Sequence, residues 1–505
     1  MANRKRPLFE YVDILKQKDL IKKSNIDQAL MDSFINHVSY NSKDVIPNTL
    51  FVCKGIHFKE EYLREALNNG AVIYISEEQQ ILDNDNLPYI LVHDMRKTLA
   101  VLADMYYQQI WKSLKLVGIT GTKGKSTTSY YVKSIFDAYL ALQNKPLSAI
   151  LSGIFNYDGI INEESHLTTP ETFELHQHFQ NAVDSDISYL TMEVSSQALK
   201  YHRTEGICFD VGVFLNIGTD HISDIEHQSY EDYRDSKLRL FSQCKVAIVN
   251  GATQDFNRII DEAKEKSPKV IVFGIIEEAD ICGYNLVQDE TGTSFMVRSP
   301  KYNGEFRVGM KGVFNVENAL AAIAVAHEMD IPVSCVKKGI ELAKVSGRME
   351  VFHDKCKDVV IIVDYAHNQM SFERLFETVQ IEYKNRPIHI VFGCPGYKAL
   401  GRRQELGEIA ARYATMVYLT EEDAGEEPLE KISKEIAKHI QKTDTKYEII
   451  DDREEAIKKA VQMAPSGSVL LITGKGRETR QKRGSQYIDT ISDVEIVERI
   501  LAHEE

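Results

Sequence analysis

Seven consecutive residues, Gly121-Thr122-Lys123-Gly124-Lys125-Ser126-Thr127, hold the densest concentration of potential chemistry in the sequence. They follow an apolar run at 115–120 and precede a helical run at 128–140, so the order is strand, glycine-rich loop, lysine, hydroxyl, helix. Glycine allows a tight backbone path, and successive N–H groups at a helix start attract phosphate oxygens. Lys125 is placed to span the β and γ phosphates of a nucleotide, and Ser126 to ligate magnesium. The spacing misses GxxxxGK[ST] by one residue: Ile119 stands at that pattern's first glycine, and Gly118 lies one place early. The departure points away from ordinary GTPases and kinases. The alternative reading is a glycine-rich strand-to-helix turn with no ligand.

Other polar residues also end apolar runs. Glu193 follows 187–192, where a carboxylate beside a phosphate loop can hold magnesium through oxygen. Asn216 lies at the end of the run 211–217, and Asp220 and His221 come just after it. A lone histidine is more often structural; His221 gains interest because Asp220, Asn216 and Glu193 project from neighbouring strand ends. Open parallel sheets bind ligands at that edge.

The elements that position these residues form three groups. Runs at 115–120, 187–192, 211–217, 245–250 and 270–275 read as buried parallel strands with amphipathic segments between most of them. A second series, at 359–363, 388–392, 416–419 and 469–472, follows a Gly347-Arg348 hinge. Two doubly wound α/β units are expected. Before Trp111 lies a shorter mixed unit, with strand-like 49–53, helix-like 59–68 and strand-like 71–75. A length of 505 residues agrees with about three domains, placed at 1–112, 113–346 and 347–505.

Composition excludes several classes. With 43% hydrophobic and 27% charged residues, 12 Pro and 28 Gly, the chain should fold as a globular protein. Sixty Lys plus Arg against 75 Asp plus Glu give a formal charge of -15, which argues against a nonspecific nucleic-acid binder. Residues 1–22 mix charges into their apolar pattern, unlike a signal peptide, and no stretch approaches the roughly 18 apolar residues of a membrane span. A cytoplasmic location is expected. The seven cysteines contain no CxxC pair and are expected to be reduced core thiols.

Several motifs in order carry a family resemblance: 120–126, Thr168-Thr169-Pro170-Glu171, Glu193-Val194-Ser195-Ser196, Asp220-His221, 312–318, Gly347-Arg348-Met349-Glu350 and Asp364-Tyr365-Ala366-His367-Asn368. Together they resemble the Mur ligases, ATP-dependent amide-forming enzymes of peptidoglycan precursor synthesis. The resemblance covers nearly the whole chain. It implies a three-domain α/β architecture, with a small mixed α/β UDP-binding domain, a central P-loop ATPase parallel sheet and a Rossmann-like amino-acid domain. Thr-Thr-Pro-Glu is most similar to the branch that joins a diamino acid to UDP-N-acetylmuramoyl-L-alanyl-D-glutamate.

The resemblance also implies roles. ATP phosphorylates the D-glutamyl γ-carboxylate, and an amine then attacks the acyl phosphate. Lys125 would stabilise the transferring phosphate, and Ser126, Glu193 and His221 would arrange magnesium. Lys237 lies where the family carries a lysine carbamylated by carbon dioxide, an anionic ligand for a second magnesium; alone it reads as a solvated helix lysine. Asn315, Asn318, Arg348 and Asp364 would contact ATP, with Asn315 capping a helix as the plain alternative. The muramoyl dipeptide would meet Ser42, Thr168, Thr169, Ser195 and Arg203. A monomer is expected.

For the incoming amino acid, the resemblance points to Lys398, Glu422, Asp423, Gly474 and Glu478. Diaminopimelate-using members place an Arg in Asp-Asn-Pro-Arg, where this chain reads Thr420-Glu421-Glu422-Asp423-Ala424-Gly425-Glu426-Glu427-Pro428. An acidic loop suits a terminal ammonium, which favours L-lysine, with L-ornithine next. Lys398 stands where many members have Arg for the substrate carboxylate, and Asn41-Ser42-Lys43 replaces an Asp-Ser-Arg uridine segment. Competing expectations are a folylpolyglutamate synthetase, which lacks the first unit, and a noncatalytic nucleotide-binding paralogue.

Overall fold

In a computed structural model, residues 5–55, 58–80, 87–218, 222, 226–289, 291–310, 312–343, 349–354, 356–398 and 400–504 are described. Three large sheets organise them. The first has five strands in the order Ile21–Ser24, Tyr89–Val92, Ala71–Ser76, Thr49–Val52, His37–Ser39, with Leu8–Gln17 and Met95–Tyr106 as its longer helices. It packs on the second unit through Phe173, whose ring meets those of Tyr40, Tyr106 and Tyr107.

The second sheet has eleven strands. Its parallel centre runs Ala149–Leu151, Tyr189–Glu193, Lys115–Thr120, Phe209–Phe214, Cys244–Asn250, Lys269–Gly274. These strands are mostly apolar because helices cover both faces: Val117, Ile119, Val211, Val213 and Ile248 are all fully buried. On one face lie Lys125–Leu142 and Val313–Glu328. The alanines of the latter, including Ala319, Ala322 and Ala326, have no exposed surface, and their small side chains let the helix lie close to the sheet.

The third sheet places Val359–Asp364, Val469–Thr473, Ile388–Phe392, Met416–Leu419 and Lys446–Ile449 in parallel, with Glu350–Asp354 antiparallel at one edge. A buried ion pair anchors its loops. Arg453 grips Asp493 with two bonds of 2.7 Å and also donates to Thr473 O. Removing one partner would leave a buried charge uncompensated, a loss of about 3–5 kcal/mol.

The strands expected from the sequence hold to within a few residues, whereas those at 21–24, 37–39, 89–92, 149–151, 350–354 and 446–449 carry no such expectation, and other differences follow. Glu193 is the last residue of its strand rather than the next one on, and the helix after the phosphate loop starts at Lys125. Strands Ile281–Asp289, Gly292–Arg298 and Asn303–Val308 extend one edge of the second sheet; the last two largely alternate between buried and more exposed residues, and the first is buried only over its first three residues, so none forms a long apolar run. None of the seven cysteines is paired, but Cys356 is exposed rather than in a core. No helix among the described residues is long and apolar enough to cross a membrane.

Candidate functional site

The phosphate loop is held from below by a residue that sequence reasoning left without a role. Asn216 accepts from Lys123 N–H at 2.9 Å and donates to Lys123 O at 3.0 Å, while its own carbonyl accepts from Thr122 N–H. Thr122 Oγ1 receives bonds from Gly218 N–H and from the Tyr233 hydroxyl, both at 3.1 Å. Gly124 has a left-handed φ of 85°, and a Cβ there would collide with Asn318 Oδ1. The loop is therefore fixed before any nucleotide arrives, with the N-terminal amides of Lys125–Leu142 behind it.

Two ammonium groups meet one carbonyl of this loop. Lys125 Nζ donates to Gly121 O at 2.9 Å, and Lys237 Nζ donates to the same oxygen at 3.0 Å. Lys237 is only 1% exposed and lies 4.5 Å from the Tyr233 ring centre, so it is a buried residue rather than a solvated helix lysine. Glu193 is also buried and accepts from Gly153 N–H at 2.8 Å. Ser126 and Glu193 offer hard oxygen donors of the kind magnesium prefers. His221 and Arg348 lie outside the described residues, as do Asp220 and Gly347.

A cavity of about 400 Å³ opens above the loop. Thr122 to Thr127, Thr168, Glu193, Asn315 and Asn318 line one wall; Asp364, Lys398, Glu422, Asp423, Gly474 and Glu478 line the other. Sites predicted on separate motifs thus share one space. Asn315 belongs to the first turn of a helix capped by Gly312, so it is not the cap. Asp364 accepts from Met349 and Ala366 N–H, at 2.8 and 2.7 Å, and holds its own loop together.

The acidic loop of the third unit is mostly neutralised internally, which corrects the expectation of a broadly acidic pocket. Glu421 pairs with Arg483. Glu427 accepts from Arg403, from Tyr397 N–H and from Lys431, and the Arg403 guanidinium holds its carboxyl down to about 2. Lys475 lies between Asp423 at 3.1 Å and Glu478 at 2.5 Å, and against the effect of burial these two carboxylates raise its pKa. Glu422 is different. Burial pushes its carboxyl up to about 8. Lys475 and the cavity-lining Arg402 and Arg374 carried no signal separating them from ordinary surface cations.

Of the residues expected to meet a muramoyl dipeptide, only Thr168 lines the cavity. Thr169 Oγ1 donates to Glu193 O and accepts from Ser195 N–H; Ser195 caps the helix Ser196–Lys200. Arg203 donates to Thr169 O and pairs with Glu171 at 2.6 Å. Glu171 also binds Lys54 of the first unit at 2.6 Å; against its burial, Lys54 and Arg203 hold its carboxyl below the usual range. Ser42 is buried and its hydroxyl donates to Glu65 at 2.5 Å.

A phosphate loop on one parallel sheet, facing the loops of a second sheet across a common cavity, defines a multi-unit α/β nucleotide-binding enzyme. Residues 119–326 match the Mur ligase middle domain, and residues 347–476 match the Mur ligase glutamate ligase domain. The chain is 35% identical to the UDP-N-acetylmuramoyl-L-alanyl-D-glutamate–L-lysine ligase of Streptococcus thermophilus, over 97% of this chain and 99% of that one. The enzyme of the same name from Enterococcus faecalis is 34% identical, over 94% and 95%. A solved UDP-N-acetylmuramoyl-L-alanyl-D-glutamate–2,6-diaminopimelate ligase superimposes with a TM-score of 0.65 at 26% identity, covering 95% of this chain and 98% of that one. The chain belongs to the Mur ligase family.

Because Asn216 holds both backbone groups of Lys123, Asn216→Ala should raise the KM for ATP about tenfold or more while leaving the far-ultraviolet circular dichroism unchanged. Steady-state phosphate release at varied ATP checks this, and an unaltered KM would show that the loop is held without Asn216.

Proposed function

We propose that this ligase joins the α-amine of L-lysine to the D-glutamyl γ-carboxylate of UDP-N-acetylmuramoyl-L-alanyl-D-glutamate. ATP is converted to ADP and phosphate. The observation that carries the reading is the shared cavity, with the phosphate loop and Glu193 on one wall and Lys398, Glu422 and Gly474 on the other. The high similarity to L-lysine ligases supports the choice of amino acid.

In the first step a γ-carboxylate oxygen attacks the terminal phosphorus of ATP, ADP leaves, and an acyl phosphate forms. In the second the free amine attacks the acyl carbon and phosphate departs. Both steps gather negative charge on oxygen, so positioned donors and cations matter more than a protein nucleophile. Backbone amides of Lys123 to Thr127 and the Lys125 ammonium would hold the phosphates; Asn315 and Asn318 would flank the nucleotide. Ser126 and Glu193 would hold magnesium, which when bound offsets phosphate charge. Lys398 would bind the amino-acid carboxylate as a point charge. The unit at 1–112 would carry the UDP end, the unit at 113–346 ATP and the unit at 347–505 the amino acid.

Carbamylation of Lys237 fits its surroundings: it replaces the second positive charge beside Lys125 with a negative one carrying two oxygen ligands. Lys237→Ala should lose at least a hundredfold in kcat, and millimolar formate or acetate should restore part of it. Unchanged turnover in the variant would remove Lys237 from the mechanism.

Phosphate release with the UDP-muramoyl dipeptide and separate amino acids tests the whole reading. Lysine should exceed meso-diaminopimelate by about tenfold or more in kcat/KM, with ornithine between them. A preference for diaminopimelate would overturn the choice of lysine.

A further inference from the structure

Two segments bring Glu193 and Lys237 to the phosphate loop. Glu193 ends a strand, and the chain runs on through Val194 and Ser195 into the helix Ser196–Lys200; Lys237 is carried on the helix Tyr230–Leu238. His227 lies between them and has no exposed surface. Its Nε2 is 3.0 Å from Ser196 Oγ, and its Nδ1 is 3.3 Å from Oδ2 of Asp232, in the first turn of the Lys237 helix. Its ring meets that of Tyr233 with centres 5.1 Å apart and planes inclined by 66°. Lys237 Nζ also lies over the Tyr233 ring, and the Tyr233 hydroxyl donates to Thr122 of the phosphate loop.

Serine, histidine and aspartate in series are the parts of an activated nucleophile. Here they are sealed away from the chemistry: Ser196 is 5% exposed and is not among the described residues that line the reaction cavity. The neutral ring that suits both neighbours carries its proton on Nδ1, towards the carboxylate, and accepts from the Ser196 hydroxyl. Lys200 also reaches Asp232, at 2.6 Å, but both of those side chains are partly exposed, so water competes for the contact. No water competes for the buried imidazole, and a buried polar group deprived of its partner is costly.

We propose that His227 is a positioning residue for the ligase reaction: as a buried strut between Ser196 and Asp232, it holds the helix bearing Lys237 at a fixed distance from the strand end bearing Glu193. This role rests on the reading of Lys237 as a carbamylated ligand. A carboxylate and a carbamate serve one phosphate-transfer centre only while their separation is kept, and a displacement of about 1 Å costs about a hundredfold in rate. The strut acts on Lys237 through the helix and through the Tyr233 ring that both side chains touch.

A double-mutant cycle on the full-length protein tests the strut. At saturating substrates His227→Gln should lower kcat about tenfold or more while the KM for ATP stays within about twofold. In Lys237→Ala rescued by millimolar formate, the same substitution should cost less than about twofold, because a free carboxylate seats itself without the helix. Ser196→Ala should reproduce part of the loss and add nothing to His227→Gln; if His227→Gln does not fold, Ser196→Ala carries the same cycle. In protein equilibrated with carbon-13 bicarbonate, the carbamate resonance that Lys237→Ala abolishes should shift or weaken in His227→Gln. Equal losses with and without Lys237, or an unaltered resonance, overturn this inference alone. A wild-type protein with no carbamate resonance, together with no formate rescue of Lys237→Ala, overturns the carbamylated-lysine reading and this inference with it.

Discussion

The convergence of Lys125 and Lys237 on the carbonyl of Gly121 is the contact on which the rest of the site depends. There the Lys125 ammonium adds to the field of the free amides at the start of the next helix, and Lys237, once carbamylated, would set oxygen ligands beside it. The position is made for an anion. Contacts around the loop hold that position still: Asn216 clamps Lys123, Tyr233 and Gly218 clamp Thr122, and Asn318 fills the space that only a glycine at 124 leaves open. Preorganised donors are more effective than donors that must be gathered during reaction.

The second constraint is that two sheets point their carboxyl ends at one cavity. Polar residues at the end of Lys115–Thr120 and Tyr189–Glu193 face those that follow Met416–Leu419 and Val469–Thr473. Contacts beside the cavity tie the units: Arg480 donates to Ser165 O at 3.0 Å, and Thr479 to Glu164 at 2.8 Å. On the far side, Lys54, Glu171 and Arg203 join the first unit to the second. The arrangement brings a phosphorylating centre and an amine-binding wall close together, as an acyl phosphate exposed to water requires.

Much of this was legible in the sequence, for identifiable reasons. Short apolar runs such as 115–120 and 388–392, rich in Ile and Val, fit strands buried on both faces, and their bounds agree with the structure. The phosphate loop was legible because glycine, lysine and hydroxyl occur in an order that backbone geometry demands. The antiparallel edge at 281–308 was not, since partly exposed strands show no apolar run. Charge pairing was the largest blind spot. Nothing in the run Glu421 to Glu427 tells that Arg483 and Arg403, distant in sequence, neutralise its two ends and leave Glu422 facing the cavity. The same holds for Lys237, whose helix reads as solvated until its burial against Gly121 is seen.

The central claim is that the carboxylate is activated by phosphorylation in this cavity before the amine attacks. It is tested most directly by labelling both γ-carboxylate oxygens of UDP-N-acetylmuramoyl-L-alanyl-D-glutamate with oxygen-18 and analysing, by mass spectrometry, the phosphate released in the presence of ATP and L-lysine. Transfer through an acyl phosphate places one labelled oxygen in each phosphate. Phosphate free of label, formed together with the amide product, would contradict the account.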